Sequence, residues 1–206
     1  EVTREEQPEL FQAFVTAVKK RLVIGLRQQT SWSLAHMACN YARMGVGDLA
    51  LECLDILSRT ALMRNLFTVH NDWRNMGASL DRLSWAPFQI DANMGWTAAV
   101  QEMLLFSKPG WLKLLPSLPS RWTSGSVRGL LCRGGVEVDL AWDSSQNRIH
   151  ATLKANHTQT VRLQVPEAIR AVDVNGAAYL DWQGHTVKDL ALEAGQTVRV
   201  DFLLVD

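Results

Sequence analysis

The sequence predicts an α+β, multidomain chain, with α-helical hairpins over residues 1–110 and an antiparallel β-sandwich over residues 111–206. In the first part, apolar residues recur at the three- and four-residue spacing of helices. From Val127 onward they alternate with a period of two, which is typical of half-buried strands. A connector with two prolines, residues 112–122, separates the two patterns.

Four helices are predicted in the first part. Thr3 and Glu6 have the spacing of a capping box at the start of the first helix, whereas Pro8 would alternatively mark its first turn. Asp48 is expected to cap the third helix, and the short link that precedes it predicts a helical hairpin. The predicted helices cover residues 3–24, 31–44, about 49–59 and about 94–107.

The strands of the second part are predicted from alternating runs bounded by turn residues. Gly134-Gly135, Asn175-Gly176 and Gly195 are the clearest turn signals. Strands at this spacing indicate an antiparallel sandwich. The predicted strands include residues 136–142, 149–153, 161–165, 172–174 and 198–202.

Composition excludes several classes of function. Lys plus Arg equals Asp plus Glu at 21 each, so no global field favours nucleic acid or an anionic membrane as a partner. The three cysteines are an odd number at wide spacing, which fits neither a disulfide framework nor a metal motif. No apolar run is long enough to span a membrane. We therefore predict no cofactor, no metal ion, no nucleic acid and no membrane partner, and the compartment stays open.

Residues 85–96 contain Asp91, the carboxylate whose position in the sequence most favours a functional role. It follows an extended, proline-containing segment and precedes a helical pattern, where free backbone amides and the helix dipole favour an anion. The irregular segment 60–90 before it is long for a compact domain, and such loops are usually functional or disordered. Its four aromatic residues argue against disorder: Phe67, Trp73, Trp85 and Phe88.

His70 and Asp91 are the two candidate chemical groups, because they flank this loop and folding can bring them together. The alternative is a structural one, in which His70 anchors the loop through hydrogen bonds to backbone. A glycosidase usually needs a second carboxylate. The available partners for Asp91 are Asp72, Asp81 and Glu102, and none has a spacing that singles it out.

Residues 88–95, Phe-Gln-Ile-Asp-Ala-Asn-Met-Gly, resemble the Phe-Gln-Ile-Asp-Gly-Asn-Phe-Gly signature of glycoside hydrolase family 95. That family contains bacterial α-L-fucosidases and some α-L-galactosidases. Other segments resemble the family in the same order along the chain, which makes the set specific. They are residues 30–35, 65–67 with His70, 102–105, 114–119, and matches between 122 and 142.

The resemblance implies a fold and a mechanism. In the family an (α/α)6 barrel carries the site and a β-rich domain follows it, so this chain would supply the last barrel helices and the C-terminal sandwich. The family inverts configuration, with a Glu as general acid and an Asn, held by an Asp, that activates water. Asp91 corresponds to that Asp, and His70 corresponds to a sugar-contacting His. The Glu and the Asn are expected in an upstream part of the same enzyme.

The implied substrate is an oligosaccharide or glycoconjugate with a terminal α-L-fucose-like sugar. Four further residues are expected to bind it: Asn71, Trp73, Gln89 and Asn93. The chain departs from the family at Ala92 and Met94, and residues 71–86 separate His70 from Pro87 where the family has Pro-Pro-Phe almost at once. This insertion carries polar and aromatic residues that can reshape the sugar pocket.

Two other functions remain open from the sequence. The helical hairpins and the sandwich could form a non-catalytic carbohydrate-binding or interaction module with a Trp platform. A purely structural remnant is the third possibility. If the family resemblance defines the function, the 206 residues alone should be inactive, because they lack the proton donor.

Overall fold

The computed structural model describes residues 2–22, 29–76 and 86–205. The chain divides into two compact units, Glu1–Glu102 and Met103–Asp206. Helices build the first unit and strands build the second, which confirms helices followed by a β-sandwich as the coarse architecture. The helices are α1 (Pro8–Leu22), α2 (Ser31–Met44), α3 (Gly47–Thr60) and α4 (Ile90–Leu104).

The first three helices lie close to their predicted positions. α1 begins at Pro8, the alternative start, because the fixed φ of proline suits a first helical turn. The amide of Glu6 donates to Thr3 Oγ1 (3.3 Å) in the turn before it. The predicted end of this helix at residue 24 lies outside the described residues. Asp48 was wrongly expected as a cap, since α3 starts at Gly47 and Asp48 lies in its first turn.

α4 differs most from the prediction. It begins at Ile90, not near residue 94, and it ends at Leu104 instead of near residue 107. Its first turn carries polar and exposed residues, so apolar periodicity alone placed the start too late. Asp91 is therefore inside the first turn and not in front of the helix.

α2, α3 and α4 share a small apolar core. Leu34, Ala35, Leu57 and Ala92 are buried together, with Ile56 packed against them. Gly45 ends α2 in the left-handed conformation (φ 76°), which glycine adopts without steric cost, and its amide bonds back to the last turn. Ala92, a departure from the family signature, is thus a core residue of the helical unit.

The second unit contains two sheets. The strands are β1 (Leu105–Lys108), β2 (Trp111–Leu114), β3 (Ser124–Cys132), β4 (Val136–Asp143), β5 (Arg148–Ala155), β6 (Gln159–Gln164), β7 (Ile169–Val174), β8 (Ala177–Ala178), β9 (Val187–Leu192) and β10 (Thr197–Leu204). The four-stranded sheet has the order β1-β2-β6-β9, and the six-stranded sheet has the order β3-β4-β5-β10-β7-β8. Neighbouring strands are antiparallel except for the parallel pair β2 and β6.

The alternation pattern missed β1, β2, β8 and β9. β1 was expected as the end of a helix, and β2 lies partly in the predicted connector 112–122. The two strands form an antiparallel pair around Pro109-Gly110, and Gly110 has φ 76°. Both are short, and Trp111, Leu112 and Leu114 of β2 are all buried, so neither alternates clearly. β9 pairs with β6 and contains charged residues that masked its pattern.

In the described part of the chain, no helix combines the length and apolarity needed to cross a membrane.

Candidate functional site

The two ends of the irregular loop lie side by side. Val69 and Phe88 form an antiparallel bridge. Next to it, the amide of His70 donates to the carbonyl of Pro87 (2.8 Å), and the amide of Gln89 donates to the carbonyl of Thr68 (2.9 Å). This short ribbon brings the His70 segment next to the start of α4, as the sequence predicted for the ends of the loop.

The ribbon is attached to the N-terminus of α2. The amide of Ser31 donates to the carbonyl of His70 (3.0 Å). The side-chain oxygen of Gln89 accepts from Ser31 Oγ (2.9 Å) and from the amide of Trp32 (3.4 Å). The first amides of a helix have no partner within it, so these acceptors satisfy groups that would otherwise need water. Gln89, predicted as a substrate ligand, therefore also caps a helix.

Asn93 is engaged in the same framework. Its Oδ1 accepts from the amide of Thr68 (3.0 Å), and its Nδ2 donates to the carbonyl of Leu66 (2.7 Å). Leu66 has a left-handed backbone (φ 66°), which is costly for a residue with a branched side chain. The side-chain amide of Asn93 thus stabilises a strained turn directly before Phe67.

Asp91 is the exposed acid of this region. It is the second residue of α4, where the positive end of the helix dipole favours a carboxylate. Among the residues that the structure describes, none donates a hydrogen bond to its carboxylate or forms an ion pair with it. His70 is half-buried and its backbone is bonded on both sides, yet no described hydrogen bond joins its imidazole to Asp91. The structure brings the two segments together without pairing the two side chains.

The insertion begins with a buried polar pair. Asn71 is 1% exposed, and neither its Nδ2 nor its Oδ1 has a hydrogen-bond partner among the residues that the structure describes. The neighbouring Asp72 is also buried, and its Oδ1 accepts from the amide of Met76 (2.9 Å). Trp73 is 47% exposed, with the Arg74 guanidinium 5.9 Å from its ring centroid. Asn71 therefore has unused hydrogen-bonding capacity, and Trp73 offers an open aromatic surface.

The other candidate carboxylates have structural contacts. Glu102 forms an ion pair with Arg43, in which Arg43 Nη2 lies 2.7 Å from Glu102 Oε1, and this pair links α4 to α2. Asp72 supports its own loop, as described above. Asp81 lies outside the described residues.

Exposed aromatic rings surround this part of the helical unit. Phe67 and Phe88 pack together with ring centroids 4.8 Å apart, although both are largely exposed. Trp96 donates from Nε1 to Ser58 Oγ (3.2 Å). Trp85, the remaining aromatic of the predicted loop, lies outside the described residues.

Within the described ranges, no group of three or more His, Cys, Asp or Glu side chains has an arrangement that could hold a metal ion. The three cysteines are free thiols. Cys53 and Cys132 are buried, and burial raises the pKa of each thiol to about 12. They have the character of small apolar core residues, as the sequence indicated.

Each part of the chain matches a domain of a known protein family. Residues 1–104 match the glycosyl hydrolase family 95 catalytic domain, and residues 106–200 match the glycoside hydrolase family 95 C-terminal domain. The fold and these matches together define the class of protein as a glycosidase. The chain contains a helical segment of its catalytic domain, followed by its β-rich C-terminal domain. The chain belongs to glycoside hydrolase family 95.

The curated relatives that match the chain are much longer than it is. The chain is 35% identical over 149 residues to α-L-fucosidase 2 of Arabidopsis thaliana, which covers 68% of the chain and 16% of the plant protein. It is 43% identical over 67 residues to a probable α-fucosidase A of Aspergillus oryzae, covering 28% of the chain and 9% of that protein. A probable α-fucosidase A of Aspergillus niger is 28% identical over 127 residues, covering 56% and 14%. The chain thus spans at most about a sixth of the length of these relatives.

Two solved structures are weakly similar to this chain. A GH127 β-L-arabinofuranosidase from Geobacillus stearothermophilus T6 has a TM-score of 0.35 and 12% identity, covering 94% of this chain and 30% of that one. Another GH127 β-arabinofuranosidase has a TM-score of 0.37 and 13% identity, covering 84% and 31%.

Proposed function

We propose that the whole protein is an inverting exo-α-L-glycoside hydrolase that releases a terminal α-L-fucose-like sugar. Asp91 is its supporting carboxylate, and this chain is the C-terminal part of the enzyme. The position of Asp91 carries the proposal: it is an exposed acid in the first turn of α4, inside the family signature. Gln89 and Asn93, on either side of it, are hydrogen-bonded to the rest of the helical unit. A carboxylate that acts on a neighbouring group needs such a fixed position.

The chemistry needs a base stronger than a free amide. In an inverting hydrolysis, water attacks the anomeric carbon while the bond from that carbon to the leaving oxygen breaks. A general acid protonates the leaving oxygen, and a base takes a proton from the water. A carboxylate that accepts a hydrogen bond from an Asn side chain polarises the amide and orients its oxygen toward the water. In the proposal Asp91 has this role, and the Asn and the acidic Glu belong to a part of the enzyme outside these 206 residues.

His70, Asn71 and Trp73 are proposed as sugar-contacting residues. A buried amide without hydrogen-bond partners costs about 1–3 kcal/mol. The side-chain amide of Asn71 has none within the described ranges, so a sugar hydroxyl group that reached it would stabilise it. The open face of Trp73 suits stacking against the apolar face of a pyranose. His70 has a fixed backbone from which its imidazole can donate or accept.

Gln89 and Asn93 have narrower roles in this proposal. The Oε1 atom of Gln89 caps α2, but no described acceptor faces its Nε2, which remains able to donate to a sugar hydroxyl. Both side-chain polar atoms of Asn93 already have partners within the helical unit. We therefore propose Gln89 as a substrate ligand through Nε2, and Asn93 as part of the frame around the sugar.

The upstream part of the enzyme is proposed to cover the apolar surface of the helical unit. Large apolar side chains are exposed on and beside α4: Leu66, Phe67, Phe88, Ile90 and Met94. A contiguous exposed apolar surface usually marks an interface. Further helices of a catalytic barrel would bury it. They would also bring the Asn to Asp91 and place the general acid on the opposite side of the sugar.

Hydrolysis by the full-length protein tests the proposal. Asp91→Asn is expected to lower kcat on an aryl α-L-fucoside by about 100-fold or more, because the amide base loses its support. The matched control is Glu52→Gln, which changes an exposed acid of α3 and should leave kcat unaltered. NMR of the released sugar should detect the anomer of inverted configuration first. In a separate assay, the 206 residues alone should show no hydrolysis. Unchanged kcat in Asp91→Asn, a retained anomer, or an active fragment would contradict the proposal.

A further inference from the structure

We propose that Thr68 is a positioning residue that fixes the segment around Asp91. The inference rests on the proposed function, in which Asp91 supports an amide base. It assigns a role to a residue outside the family signature that no sequence feature singled out.

Thr68 holds the signature segment at two points on either side of Asp91. Its side chain is 1% exposed, and its Oγ1 lies 2.5 Å from the carbonyl oxygen of Gln89 and 2.8 Å from Oδ1 of Asn93. A hydroxyl has one proton, so it donates to one of these acceptors at a time. The amide of Thr68 donates to the same Oδ1 at 3.0 Å, which keeps Asn93 in place during either arrangement.

Asp91 lies between the two residues that Thr68 contacts. No described partner holds its exposed carboxylate, so the carboxylate position depends on the backbone of residues 89–93. Gln89 is further held by α2, and Asn93 by the carbonyl of Leu66. Loss of the Thr68 hydroxyl would leave this backbone with fewer constraints next to the carboxylate whose position catalysis depends on. A misplacement of about 1 Å can cost about 100-fold in rate.

Thr60 provides a matched control within the same unit. It is also buried, at 3% exposure, and its Oγ1 donates to the carbonyl of Ile56 at 2.7 Å. That hydrogen bond lies within α3 and does not contact residues 89–93. Valine has nearly the same shape as threonine but lacks the hydroxyl. Each replacement therefore removes one buried hydroxyl, and the two losses in stability should be similar. A difference in kcat between the two variants then reports on where the lost hydroxyl lies and not on the stability of the protein.

The experiment measures kcat, KM and Tm in the full-length protein for five variants: T68V, T68S, T60V, D91N and T68V/D91N. We expect T68V to lower kcat about tenfold with little change in KM, while T60V lowers Tm by a similar amount and keeps kcat. T68S restores the hydroxyl and most of kcat. In the D91N background, T68V should add no further loss, because its effect passes through Asp91.

The outcomes separate the two proposals. If D91N leaves kcat unchanged, the proposed function fails. If D91N lowers kcat but T68V behaves like T60V, or T68V adds its full loss to D91N, the role of Thr68 is overturned while the function stands. If T68V does not fold, T68S is compared with T68C, whose thiol is a weaker donor. A kcat higher in T68S than in T68C supports positioning, and equal values overturn it.

Discussion

Gly95 of α4 and Ala35 of α2 touch so closely that no side chain fits between the helices. A methyl group built on Gly95 would lie 2.7 Å from the Cβ of Ala35. Nearby, the Cys39 thiol lies 3.8 Å from the Gly95 carbonyl. Asp91 lies one helical turn before this contact, so the fit of Gly95 against Ala35 sets where α4 places the carboxylate.

Gly95→Ala is expected to destabilise the helical unit. Helix propensity alone predicts a gain of about 1 kcal/mol for this change. The steric contact opposes that gain, and overpacking of a tight site costs about 1–3 kcal/mol. We expect the cost to dominate and to appear as a lower urea midpoint in circular dichroism. The double variant Gly95→Ala with Ala35→Gly should recover stability, because it moves the methyl group across the interface. A neutral or stabilising Gly95→Ala would show that the helices adjust freely.

Alkaline pH should destabilise the chain through its buried thiols. Burial raises the pKa of Cys53 and of Cys132 from 9.0 to about 12. An unfolded chain releases these protons near pH 9, while the folded chain retains them. Stability is therefore unaffected by these groups below about pH 9 and falls as pH rises from about 9 to about 12.

Urea unfolding at a series of alkaline pH values measures this fall. Burial also raises the pKa of Cys39 and of Tyr41, so these groups act in the same direction. The comparison is with the double variant Cys53→Ala and Cys132→Ala, whose stability should depend less steeply on pH. Identical pH dependence in the two proteins would refute the assignment to these thiols.

Gly125→Ala should destabilise the sandwich. Gly125 pairs with Trp142 across β3 and β4, and a methyl group there would lie 2.4 Å from Cζ2 of the indole. The indole cannot move away freely, because its Nε1 donates to the carbonyl of Trp122 (2.8 Å). We expect a loss of about 1–3 kcal/mol, measured by urea unfolding. Ser126→Ala, an exposed neighbour on β3, should remain within about 0.5 kcal/mol of the parent. Equal midpoints for the two variants would contradict the steric argument.

Local patterns were sufficient for much of the architecture. The predicted α2 matches the structure because its signals are adjacent in the chain: Thr30 and Ser33 form a capping box, and Gly45 ends the helix. The strands β4, β5 and β10 were predicted because alternation reflects burial on one face of a sheet. The family signature around Asp91 could also be recognised from the sequence, since it is a contiguous run of residues.

Tertiary contacts decided what these residues do. Gln89 caps a helix through Ser31, 58 residues away, and Thr68 reaches the carbonyl of Gln89 across 21 residues. No periodicity or spacing encodes such pairs, because they form only when the loop ends meet. Hydrogen bonding likewise separates two buried neighbours. The side-chain amide of Asn71 has no partner among the described residues, whereas Asp72 accepts a hydrogen bond from the amide of Met76 in its own loop. Residue type and local order therefore suffice for α2, for the main strands and for recognising the signature that contains Asp91. Which side chains build the frame, and which stay available to a sugar, depends on contacts between segments that are distant in the chain.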